Sequence, residues 1–217
     1  MCTNLKINLL LSSCRGVTDN ECRPVLSTLS GQLHGIHIEM RSVRLHVLFV
    51  CTGNICRSPI AERLAAAYSA RCQVPELRTS SAGTHAAIAH PIHPDAALVL
   101  ETLGGDASNF EARQLTSRIA SDADLVVTMT KAHRDAVLEL APHQLRRTFA
   151  LSEAARLASE CDAKTVADLA DLRPHFAARE LSDIPDPIGQ STEFFAMVGS
   201  QIASLLPPIL ELCRRSR

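Results

Sequence analysis

From Leu45 onward, short apolar runs alternate with segments whose apolar residues recur at helical spacing, whereas residues 1–40 carry neither period. Leu45–Val50 is a continuous, β-branched apolar run, the pattern of a strand buried on both faces. A glycine-containing turn follows, then Pro59 as a first helical residue and an alanine-rich helix to about Arg71. Leu77–Ser81 predicts a second strand, Pro94–Leu103 a helix closed by Gly104-Gly105, and Leu125–Met129 a third strand. Lys131–Leu140 predicts a helix and Arg147–Leu151 a fourth strand. Helices are expected at Ser152–Ser159 and Ala163–Ala178, and after a proline-rich loop a last one from Phe194 to Cys213. Strands alternating with helices imply right-handed crossovers. The predicted fold is therefore a single doubly wound α/β domain, a four-stranded parallel sheet with helices on both faces. It is expected to span 41–217 behind a poorly ordered extension, 1–40, and a natural start at Met40 suits that division.

Composition narrows what such a domain does. An apolar fraction of 46% supports a real core, and a formal charge of −1 gives no bulk basic field for nucleic acid or an anionic membrane. Any anion site must be local. The eight cysteines form no paired CxxC spacing and have no histidines at zinc-ligand intervals, so neither a metal nor another cofactor is expected. A disulfide framework does not suit a chain with this much core, which favours a reducing cytoplasm. Leu11-Ser12-Ser13-Cys14 resembles a lipoprotein cleavage box, but the apolar stretch before it is short and interrupted by Asn8, so we read it as an accidental match. Pro207-Pro208 is expected to break the C-terminal apolar run, which excludes a membrane span there.

The chemistry concentrates in Val50-Cys51-Thr52-Gly53-Asn54-Ile55-Cys56-Arg57-Ser58-Pro59, between the first strand and the first helix. In open α/β sheets, ligands bind beyond the carboxyl ends of the strands. Five residues separate Cys51 from Arg57, enough for a ring whose amides point inward at one phosphate. Gly53 and Asn54 tolerate the positive φ such a ring needs, and the helix N-terminus adds its own unsatisfied amides. The planar fork of Arg57 can hold two phosphoryl oxygens, which a lysine cannot. In that positive environment Cys51 is expected to ionise to a thiolate and act as nucleophile. Thr52, Gly53, Asn54, Ile55, Cys56 and Ser58 would line the phosphate, and Ser58 would either donate to the thiolate or cap the helix. An NTP-binding loop would require GxxxxGK[ST], which is absent here. Cys56 is either a small buried side chain or a redox partner of Cys51.

A thiolate displacing an alkoxide or phenoxide benefits from a general acid. Asp183-Ile184-Pro185-Asp186-Pro187-Ile188-Gly189 is a proline-braced loop with two candidate carboxylates.

The ten-residue run from Val50, with Glu62 behind it, resembles the phosphate loop of the low-molecular-weight protein tyrosine phosphatases. The likeness continues through Ser80-Ser81-Ala82-Gly83-Thr84, Ala112-Arg113-Gln114-Leu115 and Asp124-Leu125-Val126-Val127-Thr128-Met129-Thr130, and ends near Leu210. The resemblance implies a phosphate-monoester hydrolase working through a Cys51 phospho-enzyme, with a phosphorylated protein, phosphotyrosine first, as substrate. It selects Asp186 as general acid and then base, and leaves Asp183 as a bracing residue. It also marks 155–180 as an insertion. The pattern departs from the family at the substrate walls: Ile188 replaces an aromatic residue, Thr84 and His85 face it without a tryptophan, and Phe110 replaces a histidine. Arsenate reduction on the same fold would need a cysteine relay, and none lies between Cys72 and Cys161. A phosphoarginine substrate would suit a smaller Thr where Ile55 stands, and a non-catalytic phosphate-binding module would lack one of the catalytic residues. His90 and His93, flanking Pro91, read as a solvated turn.

Overall fold

The computed structural model describes residues 45–72, 77–161, 163–175 and 182–216. The expected extension 1–40 and part of the expected insertion lie outside these residues. Four parallel strands, β1 (Leu45–Cys51), β2 (Leu77–Gly83), β3 (Leu125–Thr128) and β4 (Thr148–Ala150), lie in the order β2-β1-β3-β4. Between and after them run α1 (Arg57–Arg71), α2 (Pro94–Thr102), α3 (Ser117–Ser121), α4 (Lys131–Leu140), α5 (Leu151–Glu160), α6 (Val166–Leu172) and α7 (Thr192–Arg215).

β1 is central and its side chains divide by the two-residue period of a strand. Val47, Phe49 and Cys51 face the larger core with α1, α2, α5 and α7 residues, while Leu48 and Val50 face a smaller one with Ala120, Val126 and Val137. Both faces are thus covered, as the unbroken apolar run of β1 requires. The chain leaves β1 toward β2 on one side and later returns to place β3 on the other, so the order reverses at the carboxyl end of β1. That reversal opens a crevice at the residues that follow Val50.

The predicted strands and helices are all present, with ends shifted by a few residues. Helix α1 starts at Arg57, which puts Pro59 third and not first. The short α3 and a 3-10 turn at Pro142–Arg147 were not predicted; five or six residues carry too little periodicity to read. Of the expected helix at Ala163–Ala178, the described residues form α6 and a 3-10 turn at Arg173–His175, and 176–178 lie outside them. Arg173 fastens this region to the sheet: its guanidinium lies 3.9 Å from the Phe149 ring centroid, and its Nε donates to Glu153 Oε1 at 2.9 Å.

Pro207-Pro208 does not break the last helix, which runs through both prolines. A proline inside a helix costs about 3 kcal/mol. Burial of Leu206, Ile209, Leu210 and Leu212 around the pair offsets that, at roughly 1.5–3 kcal/mol for each such side chain. By length and composition α7 is apolar enough to cross a membrane, and half of its apolar window is buried in this core.

Where α7 crosses α2 the backbones meet closely. A Cβ placed on Gly199 would lie 2.3 Å from Val99 Cγ1. Gly199→Val is expected to cost roughly 1–3 kcal/mol through overpacking, read as a fall of several degrees in thermal midpoint. An unchanged midpoint would show that the two helices separate without cost.

Candidate active site

Residues 51–57 form a ring at the carboxyl end of β1. Its carbonyls are engaged on the outside: Cys51 O by Thr84 N–H at 2.9 Å, Thr52 O by His85 N–H at 3.0 Å, Gly53 O by Ala87 N–H at 3.0 Å, and Ile55 O by His93 N–H at 2.8 Å. In a trans peptide the next amide points opposite to the carbonyl, so this pattern turns the ring's N–H groups inward. The loop 84–93 supplies these donors, and it approaches closely because Gly83 has no side chain. A Cβ there would lie 2.4 Å from Thr52 O.

Asn54 is fully buried and holds φ +55°. Its amide nitrogen donates to Ser58 Oγ at 2.9 Å and to Ser81 Oγ at 2.8 Å, and its Oδ1 accepts from Arg113 N–H at 2.9 Å. Ser81 Oγ donates onward to Glu62 Oε2 at 2.5 Å. Burial pushes the Glu62 carboxyl up and the Ser81 bond pulls it down. The positive φ expected of Gly53 is not found; Asn54 alone makes the left-handed turn in the ring. A Cβ added at Gly53 would make only ordinary contact with Ile55 Cγ1, at 3.4 Å.

Cys51 closes β1 with 2% exposure, its Sγ 3.0 Å from Ser58 Oγ. Since that hydroxyl accepts from Asn54, its proton is free to point at the sulfur. Of the two roles expected for Ser58, the structure has this one, and α1 has no side-chain cap. Cys56 is buried in the main core, and burial, with Cys51 nearby, pushes its thiol up to about 12.

Arg57 reaches back from α1 into the mouth of the ring, almost fully buried. Its Nη1 donates to Ile184 O at 3.1 Å and its Nη2 contacts Asp186 Oδ2. Nε is buried and has no hydrogen-bond partner among the described residues. The acid loop is fixed at two points: Ile184 N–H donates to Met129 O at 2.9 Å, and Asp183 Oδ1 accepts from Lys131 N–H at 2.9 Å. Asp183 therefore caps α4, while Asp186 is half exposed and points at the ring. The flanks match the sequence expectation of a missing aromatic clamp. Ile188 is 48% exposed, Thr84 and His85 border the ring, and Phe110 is buried beneath the Arg63 guanidinium, 5.5 Å from its centroid. His93, expected in a solvated turn, is half buried and stacks on Phe195 at 5.0 Å.

Residues 46–216 match the model of the low molecular weight phosphotyrosine protein phosphatases. The chain belongs to this family. By that membership it is an enzyme of the protein-tyrosine-phosphatase class. It is 38% identical over 103 residues to the low molecular weight protein-tyrosine-phosphatase Etp of Escherichia coli K12, an alignment covering 48% of this chain and just under two thirds, 66%, of Etp. Over 152 residues it is 34% identical to a putative phosphatase of the same class from Klebsiella pneumoniae, covering 70% of this chain and 85% of that one. Among solved structures it resembles the Erwinia amylovora tyrosine phosphatase amsI, with TM-score 0.60, 25% identity, and coverage of 84% and 100%. It also resembles the YwlE arginine phosphatase of Geobacillus stearothermophilus, with TM-score 0.61, 28% identity, and coverage of 77% and 91%.

This family member also carries a residue that the sequence reading passed over. His133, in the first turn of α4, is 7% exposed and has both ring nitrogens engaged, Nε2 2.8 Å from Thr52 Oγ1 and Nδ1 2.9 Å from Thr130 Oγ1. The clue in the sequence was a lone polar ring just past the carboxyl end of the third strand. Burial, then the Arg57 charge, lowers its pKa to about 4, against the pull of Asp186 and Asp183. The unfolded chain takes up a proton near 6.5 that the folded chain refuses until about 4. Stability tied to His133 is therefore intact above pH 6.5 and lost as pH falls toward 4, by up to about 3 kcal/mol at 1.36 kcal/mol per unit. Urea unfolding of wild type and His133→Gln across that window is expected to show the smaller acid loss in the variant; parallel curves would assign the loss to other groups.

Proposed function

We propose that this phosphatase hydrolyses phosphotyrosine in proteins through a covalent Cys51 phospho-enzyme. The observation that supports this most is the unpartnered Nε–H of Arg57. A buried guanidinium N–H without a partner is costly, and this one belongs to the residue that closes the 51–57 ring, which Cys51 opens. A phosphoryl dianion completes that arrangement: its oxygens accept from the ring amides and from Nε and Nη2 of Arg57. In doing so it displaces Asp186 from Nη2 and frees the carboxyl for the leaving oxygen.

In the first step the Cys51 thiolate attacks phosphorus, the bond from phosphorus to the phenolic oxygen breaks, and Asp186 gives that oxygen its proton. Ser58 holds the sulfur by a hydrogen bond. In the second step the Asp186 carboxylate takes a proton from water, the water oxygen bonds phosphorus, and the thiolate departs with inorganic phosphate released. Thr52, Gly53, Asn54, Ile55 and Cys56 act through the ring backbone. Asp183 only braces the loop. A reducing cytoplasm suits a nucleophile that must stay a thiol.

Phosphotyrosine is preferred over phosphoarginine because Ile55 fills the loop position beside Gly53, and the aliphatic Ile188 makes the grip on the ring weaker than an aromatic wall would. Turnover on sequence-matched phosphotyrosine, phosphoarginine and phosphoserine peptides, with thioredoxin-coupled arsenate reduction alongside, tests the substrate. Preference for phosphoarginine, or arsenate consumption without peptide turnover, would overturn it.

Cys51→Ser is expected to lower turnover by at least about a thousandfold while phosphate binding persists. Residual hydrolysis above contamination would remove Cys51 as nucleophile. Asp186→Ala is expected to slow substrates with poor leaving groups by roughly a hundredfold or more, and activated aryl phosphates far less. Asp183→Ala should show no such dependence; a steep leaving-group slope in that variant alone would move the acid to Asp183.

A further inference from the structure

The two loops that form the site lie far apart in the chain, yet both are fastened to the single turn that leads from β3 into α4. The acid loop is held there by the Ile184–Met129 and Asp183–Lys131 bonds, each 2.9 Å. The ring side is held by Met129 N–H on Val50 O at 2.9 Å and by the His133–Thr52 bond at 2.8 Å. Of these, the His133 bond is the one made by a side chain that also bears on Arg57, because Thr52 Oγ1 lies 3.5 Å from Arg57 Nη2.

The donors and acceptors in this chain can be ordered. Arg57 can only donate, so Thr52 Oγ1 accepts from it, and the Thr52 proton points at His133 Nε2. The neutral imidazole then carries its proton on Nδ1 and donates it to Thr130 Oγ1. A histidine that merely filled space would not need both nitrogens placed against hydroxyls at hydrogen-bonding distance.

We propose that His133 is a positioning residue for oxyanion binding: it orients the Thr52 hydroxyl, and through it the first peptide of the ring and the Nη2 arm of Arg57, toward an incoming phosphoryl group. His133 does not touch the substrate in this role. The inference rests on the phosphatase reading for its catalytic consequence and on the ring geometry alone for its consequence for phosphate binding.

The test is a double-mutant cycle read in two ways: inorganic phosphate affinity by calorimetry, and kcat and KM on an aryl phosphate, with thermal midpoints recorded for every variant. Thr52→Val and His133→Leu are each expected to weaken phosphate about tenfold and to lower kcat more than they raise KM. The double variant should be no worse than the poorer single one, because both changes remove the same bond. His133→Gln, which returns an acceptor near the Nε2 position, should recover most of the loss. Additive losses, or a Thr52→Val protein with wild-type phosphate affinity, would overturn the proposal. If His133→Leu does not fold, Thr52→Ser against Thr52→Val decides: retention in serine and loss in valine supports it, and equality of the two overturns it. A wild-type protein that binds phosphate but turns over no phosphopeptide would remove the catalytic reading, and the phosphate affinities would still decide the role of His133.

Discussion

The site depends on one buried amide side chain holding one unusual backbone angle. An ordinary residue at φ +55° carries a steric cost of about 1–2 kcal/mol, and an asparagine side chain buried without partners costs more. Asn54 escapes both, since its residue type tolerates the angle and its amide is bonded to Ser58, Ser81 and the Arg113 backbone. These partners come from α1, β2 and the segment before α3, so the ring is braced by the fold and not by the ligand. The same bonds direct the Ser58 proton at Cys51 and order the Glu62 carboxyl beneath Ser81. An inward-facing set of amides is electrostatically unfavourable by itself, and this frame holds it ready before any anion arrives.

The sheet order explains why the acid loop lies over that ring. β1 and β3 are neighbours although a whole β-strand and three helices separate them in sequence, so the turns that leave them face each other across the crevice. The 51–57 ring continues β1, and the Asp183–Gly189 loop, arriving from far downstream, is laid on the turn that leaves β3. Placement of two loops against one rigid turn limits the number of ways in which their separation can vary. Side chains held this way owe their spacing to the sheet register more than to the loops themselves.

Much of this was legible in the sequence because the signals were local. The apolar run of β1, the Cys51–Arg57 spacing and the proline-braced Asp183–Gly189 segment each express a single element, and each element is where it was expected. What stayed hidden depended on contacts between distant segments. Gly83 is a glycine because Thr52 O lies against it, and nothing in its own neighbourhood says so. Gly53 and Asn54 both tolerate the positive φ that the ring needs, but permission is not use, and Asn54 took that role. Pro207-Pro208 read as a break because helix propensity is local, while the burial that overrides it is not. His133 passed unnoticed for the same reason: its partners Thr52 and Thr130 belong to two different strand ends.

The contact between Arg57 and Asp186 gives the site a character of its own. The guanidinium at its mouth is not a bare charge waiting for a counterion, because a carboxylate of the same chain already occupies one arm. On the proposed reading, entry of the substrate is therefore an exchange of anions. A chloride or a carboxylate of a metabolite offers no more charge than the group it must dislodge, and it lacks the further oxygens that would reach the ring amides. A doubly charged tetrahedral anion offers both. Selectivity among the many anions of a cell thus begins before any side chain of the substrate is read, in the requirement that the newcomer be a better ligand for Arg57 than the protein's own aspartate.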